Sequence, residues 1–182
     1  MTDVGETSSP AAAQRWLDAE ETDAWLQFSE IVIRMTSALD TQLQNDADLS
    51  FYEYMVLAML SEQSERTLGM GSLARLTSGS LSRLSHVVKR LEREGYVVRE
   101  ASPHDRRHTN AVLTDAGMAK IIESAPGHVE HVRHLVFDAL TREQVSALSE
   151  ISATIKSRID PTGRSNLSDA SPRPWRDLAD RT

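Results

Sequence analysis

Apolar residues recur at three- and four-residue steps through the early part of the chain. Trp25, Phe28, Ile31, Val32, Met35, Leu39 and Leu43 fall on one face of a helix. The pattern predicts helix over residues 11–45, in one or two pieces, with Trp16 and Leu17 opening it. Ser50-Phe-Tyr-Glu53 has the form of a capping box and predicts a helix to about Gln63, with Tyr54, Leu57, Ala58 and Leu60 inward. Leu68-Gly-Met-Gly71 breaks the chain before a short helix carrying Leu73, Ala74 and Leu76. Thr77-Ser-Gly-Ser80 makes a turn. Ser80 then caps a helix from Leu81 to about Glu94, which stops at Gly95.

Beyond Gly95 the period changes. Residues 96–100 and 109–113 are β-rich, and Ser102-Pro-His-Asp-Arg-Arg-His108 between them reads as a polar hairpin loop. Thr114 caps a further helix that Pro126-Gly127 should interrupt or kink, resuming over residues 128–140. Thr141-Arg-Glu-Gln144 is a second capping box, opening a last helix to about Ile159. Short helix, tight turn, helix, strand, turn, strand is the order of a winged helix-turn-helix. The expected class is therefore mainly α (α+β), with long N- and C-terminal helices suited to pairing with a second copy. Residues 1–13 form a flexible start and 161–182 a tail with little apolar pattern, expected to be disordered. Between them lies one domain, 14–160. Residues 14–48 and 118–160 supply the dimerisation helices, and 50–114 the winged lobe.

Charge sharpens this picture. Residues 66–110 hold nine Lys/Arg against four Asp/Glu, a local +5 in a chain of net charge −7. A positive island in an acidic protein suits a phosphate backbone. On a helical wheel, Leu81, Leu84, Val88 and Leu91 gather on one side. Ser82, His86, Lys89 and Arg93 gather on the other, with Ser85 and Arg90 flanking. The first face is expected to pack. The second places short polar groups near the helix start and long cations behind, an order that suits base edges and then phosphates in a major groove. Arg106 and Arg107 at the hairpin tip suit the minor groove, with Asp105 orienting one of them.

Other chemistry is sparse. There is no cysteine, so disulfides, thiolate metal sites and thiol redox switches are excluded. No apolar run is long enough to span a bilayer, and the acidic, polar start has no signal-peptide core, so a cytoplasmic location is expected. No nucleophile elbow, Walker loop or dinucleotide fingerprint occurs, so no enzyme activity, catalytic residue or cofactor is assigned. His128, His131 and His134 read as a solvated or dimer-facing cluster in preference to a metal site, which needs more ligands. Trp16, Trp25, Phe28, Tyr52 and Tyr54 are either core and dimer packing or a candidate ligand cleft.

Several stretches together resemble the MarR family of bacterial transcription regulators. They are Trp16-Leu-Asp-Ala-Glu-Glu21, Leu73-Ala-Arg75, Leu81-Ser-Arg-Leu84, Arg90-Leu-Glu-Arg-Glu-Gly95, Asp105-Arg-Arg107 and Ala111-Val-Leu-Thr-Asp-Ala-Gly117, covering residues 16–160 in the family's order. The wing followed by Leu-Thr-Asp-Ala-Gly is the most specific. The resemblance implies a homodimer whose winged lobes meet successive major grooves of a pseudo-palindromic duplex. It also implies a repressor released by a small, often aromatic, anionic ligand. By position, Ser80, Ser82, Arg83, Ser85, His86 and Lys89 would be the major-groove group, and Arg106 and Arg107 the wing group. Two features depart from the family. Thr77-Ser78-Gly79 stands where many relatives have hydrophobic residues, and His86 where arginine is common, so base preference does not transfer. The alternative function is a winged-helix module that binds an acidic protein partner.

Overall fold

The computed structural model describes residues 14–63, 65–103 and 107–161. They divide into two compact units, one ending at Arg34 and the other beginning at Met35. Helix α1, Ala19–Ala47, is one continuous piece. It starts later than its periodicity suggested, because Asp18 and Glu21 form a reciprocal cap. The Glu21 amide donates to Asp18 Oδ1 (2.8 Å) and the Asp18 amide to Glu21 Oε2 (3.0 Å). Trp16 and Leu17 thus precede the helix, and residues 11–13 lie outside the described residues.

The second unit holds the core. Helix α2, Phe51–Ser61, carries the expected capping box at Ser50 and Glu53. Its first amide, on Phe51, donates to Asp40 Oδ1 of α1 (2.8 Å), which satisfies a donor the helix itself cannot. Thr67–Gly69 forms a strand, β1, where a plain chain break was expected. Three residues are too few to show a period, and β1 exists because it pairs with a distant strand. Helices α3 (Met70–Leu76) and α4 (Leu81–Arg93) follow, joined by the predicted turn. Gly95 ends α4 with φ of +77°, which other residues rarely adopt.

Strands β2 (Val97–Ala101) and β3 (Thr109–Leu113) make the wing, with β3 central in the antiparallel order β1-β3-β2. Val97 pairs with Leu113, Ala101 with Thr109, and Gly69 with Asn110. β2 begins one residue later than expected, since the Tyr96 amide closes the end of α4 by donating to the Leu91 carbonyl. The core draws on every element of the lobe. Leu43, Leu57, Leu60, Leu73, Leu84, Val88, Leu91 and Val97 are all fully buried. At about 25 cal/mol per Å² of apolar surface, such side chains each contribute roughly 1.5–3 kcal/mol.

The Leu113-Thr-Asp-Ala-Gly117 motif has a physical reading. Leu113 is buried. Thr114 Oγ1 donates to the Gly95 carbonyl (2.7 Å) and accepts from the Gly117 amide (3.0 Å), so it ties the end of α4 to the start of α5. Asp115 pairs with Arg66 at 2.7 Å. A Cβ on residue 117 would collide with the Tyr96 carbonyl and the Leu113 side chain, so only glycine fits. Helix α5, Asp115–Leu135, then runs unbroken through Pro126. The interruption that Pro126-Gly127 offered does not occur. Pro126 and Ile122, four residues back, are both exposed, so water can serve the carbonyl that proline leaves unpaired. Ile121, Ser124 and Ala125 pack inward on the other side. The helix ends at Leu135, and a short 3-10 turn at Phe137–Ala139 leads to α6, Arg142–Ile159, with its predicted capping box.

His128 is half-buried on α5, with its ring 4.4 Å from that of Tyr54 and 6.0 Å from that of Phe51. Burial, and then the charge of His131, holds its pKa below the ordinary 6.5. Below pH 6.5 the unfolded chain takes up a proton here that the folded chain resists. Stability therefore falls from there toward the depressed folded value and levels off below it. His128→Phe should remove this component, so the variant should gain on the native protein as the pH falls below 6.5 in urea titrations. A stability gap independent of pH in that window would count against it.

Candidate nucleic-acid interface

The interface is built around α4. Ser80 caps it, its hydroxyl accepting from the Arg83 amide at 3.2 Å. Leu84, Val88 and Leu91 are buried, whereas Ser82, Arg83, His86, Lys89 and Arg93 are exposed. Ser85 is half-buried beside them. The wheel's division into a packing edge and an outward edge thus describes the helix, with one correction. Leu81, assigned to the packing edge, is 54% exposed. It is the first helical residue, where the chain has just left the turn and the core lies a full turn further on.

Leu81 borders an open concavity of about 660 Å³ between α3, α4 and the wing. Ser72, Arg75, Ser85, Arg99, Arg107 and His108 also line it. Its cations come from α3, β2 and the hairpin. Arg75 and Arg99 were not singled out from the sequence. Only the folding of α3 and β2 beside α4 gives them a common surface, and their sole sequence signal was the summed charge. Arg107 is exposed on this rim, while His104, Asp105 and Arg106 lie outside the described residues.

Two carboxylates on or beside α4 hold their own arginines. Arg99 Nε and Nη2 both donate to Glu92 Oε2, at 3.0 and 2.7 Å. That bond holds the Glu92 carboxyl below its ordinary 4.5, so it is ionised at neutral pH and fastens the wing to the helix. Arg90, expected to flank the reading edge, turns toward the lobe. Its Nε lies 3.2 Å from Glu53 Oε1, and Glu53 is 2% exposed. Arg90 therefore anchors α4 on α2, and we leave it out of the outward group.

The five aromatic residues considered for a ligand cleft do not share one environment. Trp16, Trp25 and Phe28 belong to the first unit and are exposed, with the Trp25 and Phe28 rings 6.4 Å apart. Tyr54 is core, and burial together with the charge of Glu62 pushes its hydroxyl pKa up to about 12. Tyr52 packs against the helix-turn-helix itself, with Arg83 over its ring and Thr77 at its hydroxyl.

Known proteins share this fold. The MarR family model matches residues 47–108, the whole span from α2 into the wing loop. Sco3205, a MarR family transcriptional regulator of Streptomyces coelicolor solved in complex with DNA, is 42% identical. The match covers 81% of this chain and 96% of that one, with a TM-score of 0.77. This chain belongs to the MarR family.

AbsC, another MarR family regulator of Streptomyces coelicolor, is 34% identical over 82% of this chain and 100% of its own, with a TM-score of 0.76. The HTH-type transcriptional regulator MhqR of Bacillus subtilis (strain 168) is 31% identical over 100 residues, 54% of this chain. That stretch spans 66% of MhqR, a little under two thirds of its length. The family assignment agrees with the residue reading on the fold and on the class of regulator.

The Arg90–Glu53 pair should be the most sensitive point in placing the MarR reading helix. Arg90→Ala leaves a buried carboxylate without its cation. Because Arg90 is itself partly exposed, the expected loss is about 2 kcal/mol, below the roughly 3–5 kcal/mol of a fully buried pair. Arg90→Ala and Glu53→Gln should lose less together than the sum of the two, in a double-mutant cycle by urea unfolding. Additive losses would contradict the pairing.

Proposed function

We propose that this MarR-family transcriptional regulator is a homodimer that binds a pseudo-palindromic DNA duplex and represses transcription until a small ligand releases it. One observation carries the reading. The outward edge of α4 presents Ser82, Arg83, His86 and Lys89, and beside it lies a concavity bordered by Arg75, Arg99 and Arg107. Short polar groups and cations on a capped helix N-terminus suit base edges and phosphates in a major groove. Sco3205, the relative solved with DNA, supports a duplex as partner.

In this reading Ser80, Ser82, Arg83, Ser85, His86 and Lys89 enter the major groove, while Arg106 and Arg107 meet the adjacent backbone or minor groove. Two such helices sit roughly 34 Å apart, one turn of DNA. Release by a small aromatic acid rests on the family resemblance, and Trp16, Trp25 and Phe28 are its remaining aromatic candidates. No described helix is long and apolar enough to cross a membrane, and the proposed site of action is the cytoplasm.

Apolar surface supports the dimer. On α6, Leu148, Ile151, Ile155 and Ile159 are exposed at three- and four-residue steps, and none of its residues is buried. On α1, Trp25, Phe28, Ile31 and Val32 are exposed as well. Rows of this kind left to water are unfavourable in a monomer. Ile151→Asp with Ile155→Asp should convert the protein to a monomer in sedimentation equilibrium and weaken operator binding. A native protein that sediments as a monomer at micromolar concentration would refute the dimer.

The DNA reading is tested by electrophoretic mobility shift. Random duplex should retard the protein at low salt, and a selected palindrome should do so at physiological salt. Arg106→Ala with Arg107→Ala should weaken binding and lower the slope of log affinity against log salt by about 4, roughly one for each of the four phosphate contacts the dimer loses. An unchanged slope would remove the wing from the interface. Retention of an acidic protein with no shift of any duplex would favour the protein-binding alternative.

A further inference from the structure

Tyr52 lies on α2, outside the reading helix, yet it touches the helix-turn-helix at three points. Its hydroxyl is 2.9 Å from Thr77 Oγ1. Thr77 Oγ1 is itself 2.8 Å from the Leu73 carbonyl, which can only accept, so the threonine proton goes there. The tyrosine must then be the donor to Thr77, and its ring orientation is set. A Cβ on residue 79 would collide with the tyrosine hydroxyl, so Gly79 makes the room for it. Over the ring so placed lies the guanidinium of Arg83, with Cζ 4.2 Å from the ring centroid. Arg83 is the third residue of α4, exposed, with its amide already bound by the Ser80 cap.

We infer that Tyr52 is a positioning residue that aims Arg83 at a guanine in each half-site. The inference rests on the DNA reading proposed above. An exposed arginine samples many rotamers, and ordering it on binding weakens recognition. Stacking on Tyr52 holds the guanidinium plane while leaving its N–H fork at the edge, the part that meets guanine O6 and N7 in a bidentate pair. The same contacts account for Thr77-Ser78-Gly79. Thr77 is the hydrogen-bond acceptor that orients the tyrosine and Gly79 the space that admits it, neither of which a hydrophobic turn would provide.

The test compares native protein with Tyr52→Phe, Tyr52→Leu, Arg83→Ala and Tyr52→Leu/Arg83→Ala. Duplexes are selected from a random pool, and affinity is then titrated on the native operator. Arg83→Ala should flatten the preference for guanine at one position in each half-site. Tyr52→Leu should flatten the same position and weaken binding by about threefold to tenfold, as loss of a cation–π contact allows. Tyr52→Phe keeps the ring but loses the hydrogen bond that orients it, so its preference should fall between those of native protein and Tyr52→Leu. In the Arg83→Ala background, Tyr52→Leu should have no further effect on affinity, which a general destabilisation of the lobe would not produce. In the free proteins, ring-current shifts of the Arg83 side-chain protons should be largest in native protein, smaller in Tyr52→Phe and absent in Tyr52→Leu. A Tyr52→Leu protein that loses affinity equally for all sequences, or loses it equally with and without Arg83, overturns the inference and leaves the DNA reading intact. A native protein that selects no sequence overturns both.

Discussion

The placement of the reading helix depends on one buried carboxylate. Glu53 Oε2 accepts from both the Ser50 amide and the Ser50 hydroxyl, each at 2.8 Å, and thereby closes the capping box of α2. Its other oxygen receives Arg90 from α4. A single side chain thus starts one helix and orients another. A carboxylate taken this far out of water is tolerated only when its oxygens are satisfied. Any tilt of α4 that withdrew Arg90 would expose the lobe to that penalty. The apolar contacts of Leu84, Val88 and Leu91 hold α4 against the core without direction, and the ion pair adds the rotational setting that apolar contact lacks.

With α4 set, the cations around it divide by what they touch. Arg90 faces Glu53, Arg99 faces Glu92 and Arg66 faces Asp115, so three of the island's positive charges bind the lobe together. Arg83, Lys89 and Arg93 stand on the outward edge, and Arg75 and Arg107 stand on the rim of the concavity. The local excess of positive charge is therefore smaller as a binding surface than as a count along the chain, and more sharply placed. The acidic remainder of the protein acts at longer range, where it opposes indiscriminate adhesion to nucleic acid.

The first and last helices show a different economy. α2 to α5 satisfy one another within the lobe, whereas α6 buries nothing and the early part of α1 exposes large apolar side chains. Both helices are nonetheless capped at their N-termini, through Asp18 with Glu21 and Thr141 with Gln144. Their starts are defined locally, while large apolar side chains on both stay exposed among the described residues. That combination is what a helix needs in order to present a finished surface to a second copy.

Helix identity was legible in the sequence because capping and periodicity act over a few residues. Ser50 with Glu53, Ser80, Thr114, Thr141 with Gln144, and the three-and-four spacing of Leu84, Val88 and Leu91 all carry their physics within one or two turns. The hairpin was legible for the same reason, as were the charge of the region and the family to which the chain belongs. Features that depend on distant residues were not. β1 exists only through pairing with β3, and the helix continues past Pro126 because its inner face packs on the lobe. Arg90 is claimed by a carboxylate 37 positions earlier in the chain. Tyr52, read from the sequence as either a packing or a ligand-cleft residue, instead meets Thr77, Gly79 and Arg83, brought around its ring by the fold. The sequence by itself determined which segments are helices and which helix edge is polar. The tertiary structure alone decided which cations face outward, because an arginine's partner is chosen by proximity in space.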